Sequence, residues 1–94
     1  MTYIERSGIK AFIHVFAESS QLGDVCRELS KLPEVIDVYE VTGEFDVIAV
    51  VATPGISEFR RFLRDKILRI PGVKSTVTSI VLHTHKRDGL ELEE

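Results

Sequence analysis

The chain has 94 residues, of which 44% are hydrophobic and 29% charged, and its net charge at pH 7 is -3. This length suffices for one domain with a modest core, and the hydrophobic fraction excludes a disordered chain. The negative charge gives no general attraction to phosphate backbones, which disfavours autonomous binding of DNA or RNA. The single cysteine, Cys26, excludes an internal disulfide. Without an N-terminal apolar run, we expect a cytoplasmic protein with no membrane anchor.

Two segments have the pattern of strands that are apolar on both faces. The first runs from Ile9 to Ala17, and the second follows the polar turn Thr42-Gly43-Glu44 and runs from Phe45 to Ala52. Such strands lie in the middle of a sheet with material packed on each side. In the second, alternation predicts one face made of Phe45, Val47, Ala49 and Val51 and another made of Asp46, Ile48, Val50 and Ala52.

Two amphipathic helices are predicted between the strands. Ser19 or Ser20 is the expected N-cap of the first helix, which Pro33 ends, and Thr53 or Ser57 is the expected N-cap of the second, which Pro71 ends. Their apolar stripes are Leu22, Val25, Cys26, Leu29 and Leu32 in the first helix, and Ile56, Phe59, Phe62, Leu63, Ile67 and Ile70 in the second.

The two halves of the chain repeat one pattern of strand, helix and strand. An edge strand is predicted from Val35 to Val41 and a last strand from Val73 to about Lys86. Joined at Gly43, the halves predict an α+β ferredoxin-like βαββαβ fold, a four-stranded antiparallel sheet with two helices on one face. The single domain, residues 1–94, has its core at about 9–86. Residues 1–7 are a terminal arm for which no structure is predicted, and residues 87–94 are a charged terminal arm expected to fray.

The face of the sheet opposite the helices is predicted to be open. Four strands about 4.8 Å apart and about 20 Å long leave an uncovered face on the order of 400 Å². Exposed apolar patches of that size are often functional, so a homodimer formed through the sheet is expected. The alternative is that Lys10, His14 and the threonines make this face polar enough to remain exposed to water.

Three features resemble the ligand-binding domain of the Lrp/AsnC transcription regulators, also called the regulation-of-amino-acid-metabolism (RAM) domain. They are Gly43-Glu44-Phe45-Asp46 before an apolar strand, an apolar helical stripe that includes Phe59, and Ile70-Pro71-Gly72-Val73 before a Thr/Ser-rich strand. The resemblance covers about residues 9–82. It implies a ferredoxin-like fold, dimers paired through their sheets, rings of dimers, and small effectors, commonly amino acids, bound between dimers.

One departure from the family concerns DNA binding. Full-length members carry an N-terminal helix-turn-helix, for which Met1 to Gly8 is too short. The expectation is therefore a stand-alone or isolated effector-binding and assembly module in transcriptional or metabolic regulation, without direct nucleic-acid contact. It would act alone or by mixing with full-length Lrp/AsnC regulators.

An amino-acid site needs an acceptor for the ammonium group, donors for the carboxylate group and a shaped pocket. Asp46 supplies an acceptor, the amides near Thr42 and Gly43 supply donors, and Thr78 and Ser79 supply hydroxyl groups. Together with the resemblance, these five residues form the predicted ligand site. Taken singly, each also has a structural interpretation, as a turn glycine, a local backbone acceptor or an ordinary strand residue.

No catalytic residues, cofactor or metal site are predicted. His14, His83 and His85 lack a spaced carboxylate or cysteine and are a poor metal signal, and Cys26 falls within a core stripe. Two other function classes stay open: a small dimeric ferredoxin-like enzyme of the oxygenase or isomerase type, and a pure assembly partner of full-length regulators.

Overall fold

A computed structural model describes residues 8–43 and 45–92, so the N-terminal arm predicted for residues 1–7, Glu44 of the turn, and Glu93 and Glu94 lie outside the described residues. The main elements, in chain order, are β1 (Ile9–Ala17), α1 (Leu22–Ser30), β2 (Val35–Glu40), β3 (Val47–Thr53), α2 (Ile56–Phe62) and β4 (Val73–Ile80). A 3-10 turn (Ser19–Gln21) precedes α1, and a π turn (Leu63–Ile67) continues α2.

The four main strands form one antiparallel sheet in the order β2-β3-β1-β4. The two strands predicted to be central, β1 and β3, pair with each other from Ile9 opposite Thr53 to Val15 opposite Val47. The mixed-polarity strand β2 lies at an edge, as predicted. This arrangement confirms the ferredoxin-like βαββαβ fold.

The core lies between the sheet and the two helices. Alternate residues of β1 and β3, such as Ile13 and Ala49, are fully buried on this side against Leu29 of α1 and Ile67 of the π turn. On the opposite side of β3, Val50 is also buried, with only 4% of its surface exposed. The centre of the open face is therefore already shielded from solvent within one chain.

The helix starts differ from the predicted ones. Ser19 and Ser20 lie inside the 3-10 turn, and α2 begins after Gly55, so neither Ser57 nor Thr53 occupies its N-cap position. No side-chain hydrogen bond caps either helix, and the Thr53 hydroxyl instead donates to the Gly55 carbonyl at 3.2 Å. The predicted caps are wrong because a 3-10 turn and an extended glycine provide the entries. All described helices are too short and too polar to cross a bilayer.

The C-terminal segment also corrects the prediction. The last main strand ends at Ile80 rather than near Lys86, and the segment expected to fray forms a hairpin between Lys86–Arg87 (β5) and Leu90–Glu91 (β6). Its turn is Asp88-Gly89, whose φ angles are 52° and 78°. Asp-Gly with both φ angles positive is typical of a type I′ hairpin turn. The prediction missed this Asp-Gly signal because it rested on the charged composition of the segment.

The Pro71-Gly72 stop signal joins the two halves of the fold. Gly72 has a φ of 100°, and its carbonyl accepts a hydrogen bond from the Glu18 amide at 2.7 Å. A Cβ atom at this position would lie 2.8 Å from Gln21 Cβ and 2.9 Å from Val25 Cγ2. Both the backbone conformation and the close approach to the start of α1 therefore require glycine here.

We expect Gly72→Ala to lower the free energy of unfolding by about 1–3 kcal/mol, through backbone strain and overpacking. Gly23→Ala is the matched control, because Gly23 lies in α1 with nothing within 4 Å of its added Cβ. That change should stabilise the protein by about 0.5–1 kcal/mol. Urea denaturation of both variants measures the difference, and equal effects would contradict this role of Gly72.

Candidate functional site

The open face of the sheet carries a continuous apolar and aromatic surface. One row crosses all four strands, with Tyr39 opposite Ile48, Ile48 opposite His14, and His14 opposite Val77. Tyr39 is 53% exposed and Val77 51% exposed. Phe16, which is on the same face, extends this row toward the end of β1. We call these five residues the open-face cluster.

Asp46 lies at one end of this cluster and closes the ladder between β1 and β3. Its amide donates to the Val15 carbonyl at 3.1 Å, and its own carbonyl accepts from the Val41 amide at 2.9 Å. Its carboxylate Oδ2 accepts from the Ala17 amide at 3.0 Å. A side-chain oxygen thus replaces the main-chain acceptor that β3 no longer provides past Val47.

Thr42 and Gly43 are exposed in the six-residue connection between β2 and β3, where Gly43 has a φ of 118°. This positive φ confirms the expectation that the turn needs a residue with the conformational freedom of glycine at this position.

Phe45 departs from its predicted face. Its ring lies 5.8 Å from the His14 ring and 6.2 Å from the Phe16 ring, with the open-face cluster rather than with Val47. Strand alternation does not extend to Phe45, because β3 begins only at Val47.

Thr78 and Ser79 lie away from the other three predicted ligand residues. They pair with Ile13 and Phe12 of β1, whereas Asp46 lies one residue beyond the pair Val15–Val47. Three to four strand residues separate the two groups, or about 10–13 Å along β1. Thr78 is on the helix side and Ser79 on the open side. Within one chain the five predicted residues form two polar groups rather than one pocket.

A separate cleft of about 320 Å³ lies at the other end of β3 and was not predicted. We call it the Glu34 cleft, because the Glu34 Oε2 atom accepts there from Lys66 Nζ at 2.9 Å. These two residues are 32 positions apart, and no local sequence pattern brings them together. Its lining includes Glu34, Thr53, Glu58, Arg61, Phe62 and Lys66.

The cysteine and histidine side chains of the described residues have separate surroundings. Cys26 packs against the core, and its Sγ donates to Glu40 Oε2 at 3.8 Å. Burial, and next the Glu40 carboxylate, raise the pKa of the Cys26 thiol, which disfavours the nucleophilic thiolate. The rings of His83 and His85 meet edge to face, with their centroids 4.6 Å apart. Within residues 8–43 and 45–92, no group of three or more His, Cys, Asp or Glu side chains is placed to hold a metal ion.

This fold, with its turn glycine, strand-end aspartate and open sheet face, is that of a small α+β module of the ferredoxin-like class. Comparison with known families agrees with this class. The model of the Lrp/AsnC ligand binding domain matches residues 10–90, and the chain belongs to that family.

Similar proteins come from bacteria and archaea. The HTH-type transcriptional regulator FL11 of Pyrococcus horikoshii is 43% identical over 76 residues, which are 81% of this chain and 50% of FL11. A transcriptional regulator of Neisseria meningitidis, solved as a complex with L-Met, aligns with a TM-score of 0.84 and 27% identity over 96% of this chain and 60% of that one. A Thermus thermophilus structure aligns with a TM-score of 0.79 and 28% identity over 84% of this chain and 99% of that one.

These matches bear on one of the function classes left open by the sequence, the small ferredoxin-like enzyme. The named relatives are transcriptional regulators rather than enzymes, which confirms the regulatory module over an oxygenase or isomerase. The chain spans about half the length of the FL11 protein.

The contact between Asp46 and Ala17 can be tested without any ligand. Asp46→Ala removes the acceptor of a partly buried amide and should lower the free energy of unfolding by about 1–3 kcal/mol. Asp46→Asn retains an oxygen that can accept from the Ala17 amide and should cost less than half as much. Thermal or urea unfolding compares the two variants. An equal loss of stability in both would show that the carboxylate charge, not the hydrogen bond, supports the strand end.

Proposed function

We propose that this chain is an effector-binding and assembly module of Lrp/AsnC-type regulation. In this proposal the effector is a small molecule of the amino-acid class. The observation that carries the proposal is the match of residues 10–90 to the family's ligand binding domain. The complex of the Neisseria regulator with L-Met supports an amino acid as the effector. We expect the module to act in the cytoplasm, alone or mixed with full-length regulators.

The placement of the predicted ligand residues supports a site shared between chains. Thr42, Gly43 and Asp46 are at one end of the sheet, and Thr78 and Ser79 are several residues away along it. A second copy can bring the Thr78 group of one chain next to the Asp46 group of another. We therefore propose that the effector binds where two chains meet, with the Asp46 carboxylate facing its ammonium group.

The open-face cluster supports a homodimer in which two sheets face each other. Its side chains provide aromatic and branched apolar surface, and the helices cover only the other side of the sheet. Burial of this surface against a second copy gives about 25 cal/mol for each Å² removed from water. In our proposal the dimers further associate into a ring, and the effector shifts that equilibrium by its difference in affinity between the association states.

A panel of the common L-amino acids tests the effector site. A ligand at about 100 times its dissociation constant should add about 2.7 kcal/mol to folding stability, visible as a higher melting temperature. Asp46→Asn should abolish this gain, because it keeps an acceptor for Ala17 but loses the charge that attracts an ammonium group. Stabilisation of Asp46→Asn equal to that of the unaltered chain would count against Asp46 as the ammonium partner.

Light scattering and sedimentation test the sheet-to-sheet dimer. Val77→Glu places a charge within the open-face cluster, on the edge strand β4, and should shift the mass from a dimer toward the 10.6 kDa chain. Ile56→Glu is the matched control, since Ile56 is 51% exposed like Val77 but starts α2, where a negative charge is favourable. The dimer proposal does not survive if both variants have the same mass distribution.

A further inference from the structure

The Glu34 cleft contains a buried hydrogen-bond acceptor that no described donor reaches. Its Oε2 atom pairs with Lys66 Nζ, whereas Oε1 is shielded from solvent and has no hydrogen-bond partner in the described part of the chain. A shielded carboxylate oxygen without a donor is unfavourable. A ligand that brings a donor to Glu34 would remove this cost. Because 42% of the Lys66 side chain is exposed, it can turn outward to admit such a ligand.

The wall of the cleft is built on an irregular helical turn. The Leu68 amide donates to the Leu63 carbonyl at 3.0 Å, five residues back, so the chain forms a π turn from Leu63 to Ile67. This turn carries Asp65 and Lys66, both of which line the cleft. Single π turns within helices are rare and frequently occur at functional sites. The π turn is therefore a second observation, independent of the Glu34 acceptor, that points to a functional site at this cleft.

The mouth of the cleft has one unpaired charge of each sign. Glu58 and Arg61 are three residues apart on α2, which puts them on the same helix face. Neither takes part in an ion pair within residues 8–43 and 45–92, whereas Lys66 is paired with Glu34 and Asp65 with Arg64. The hydrogen bond from Arg64 and, to a smaller extent, the charge of Arg61 lower the pKa of the Asp65 carboxyl. A carboxylate and a guanidinium that are neighbours on one helix face, neither in an ion pair, match a ligand that itself carries both charges.

The floor of the cleft is apolar and already accommodates an alkylammonium group. Phe62 is buried, and Lys66 Nζ lies 5.9 Å from the centroid of its ring. An ammonium group held between a carboxylate and an aromatic face is a favourable arrangement. Lys66 thus shows how the amino group of a ligand would be bound.

We propose that the Glu34 cleft is a second ligand site, complete within a single chain, for a small zwitterion that carries a primary ammonium and a carboxylate. The ammonium binds to Glu34 and Glu58, the carboxylate binds to Arg61, and an apolar portion rests on Phe62. This site lies at the opposite end of β3 from Asp46 and needs no partner chain. It therefore goes beyond the proposed effector site and is independent of it.

The test is an NMR titration of the isotopically labelled chain with the common L-amino acids at millimolar concentration. At least one of them should shift the amide signals of Thr53, Glu58 and Arg61. Glu34→Gln and Arg61→Gln should each weaken that binding by about tenfold or more, because each removes one charged partner. The control is Arg60→Gln, which removes an adjacent charge that does not line the cleft, and it should bind as the unaltered chain does.

The analogue of the bound amino acid that lacks its carboxylate should bind at least about tenfold more weakly to the unaltered chain. The proposal is overturned if no amino acid shifts these three amides, if neither cleft variant weakens binding, or if that analogue binds as tightly. Asp46→Asn should leave this titration unchanged. Signals of Thr42 and Gly43 report the other site, so a failure of the effector site and a failure of the cleft give different spectra.

Discussion

The antiparallel pairing of β1 with β3 is the interaction on which the other features of this domain depend. Both strands are apolar on both faces, so burial on one side by the helices leaves a second apolar surface on the other. The helix side contains the fully buried residues, such as Ile13 and Ala49. The open side buries Val50 in the same way but leaves Val77 and Tyr39 about half exposed. A domain built on this pair packs against its helices on one face and leaves a partly exposed apolar surface on the other.

The two ends of β3 carry different polar groups, because the strand leaves the sheet in a different way at each end. At its start, the chain leaves the ladder, and the Asp46 side chain takes over as acceptor for Ala17. In our proposal the same carboxylate also faces the ammonium group of the effector, while its Oδ2 atom accepts from the Ala17 amide. At its end, Thr53 is buried beside a cleft whose charged groups come from Glu34 just before β2, from α2 and from the π turn. The proposed effector site between chains and the proposed zwitterion site within one chain therefore lie at opposite ends of β3.

Much of the fold was predictable because its signals are local or periodic. Two-sided hydrophobicity identified β1 and β3 as central strands, and the Pro-Gly stop before Val73 identified the repeat. The helix entries were not predictable from capping residues, since a 3-10 turn and Gly55 provide them. The roles of Glu34 and Lys66 were also hidden, because their contact spans 32 residues of sequence. The predicted site residues were chosen by their side-chain chemistry. Their separation into two groups follows from the strand register, which the composition of the chain does not specify.

Intermolecular nuclear Overhauser effects test most directly whether a second copy covers the open sheet face. In a sample that mixes isotopically labelled and unlabelled chains, protons of Val77 and Ile48 in one chain should show contacts with aromatic protons of His14, Phe16 or Tyr39 in another. Those contacts should disappear on dilution, as the mass falls toward 10.6 kDa. A folded chain with no intermolecular contacts at these side chains, at concentrations where its effector binds, would contradict the account.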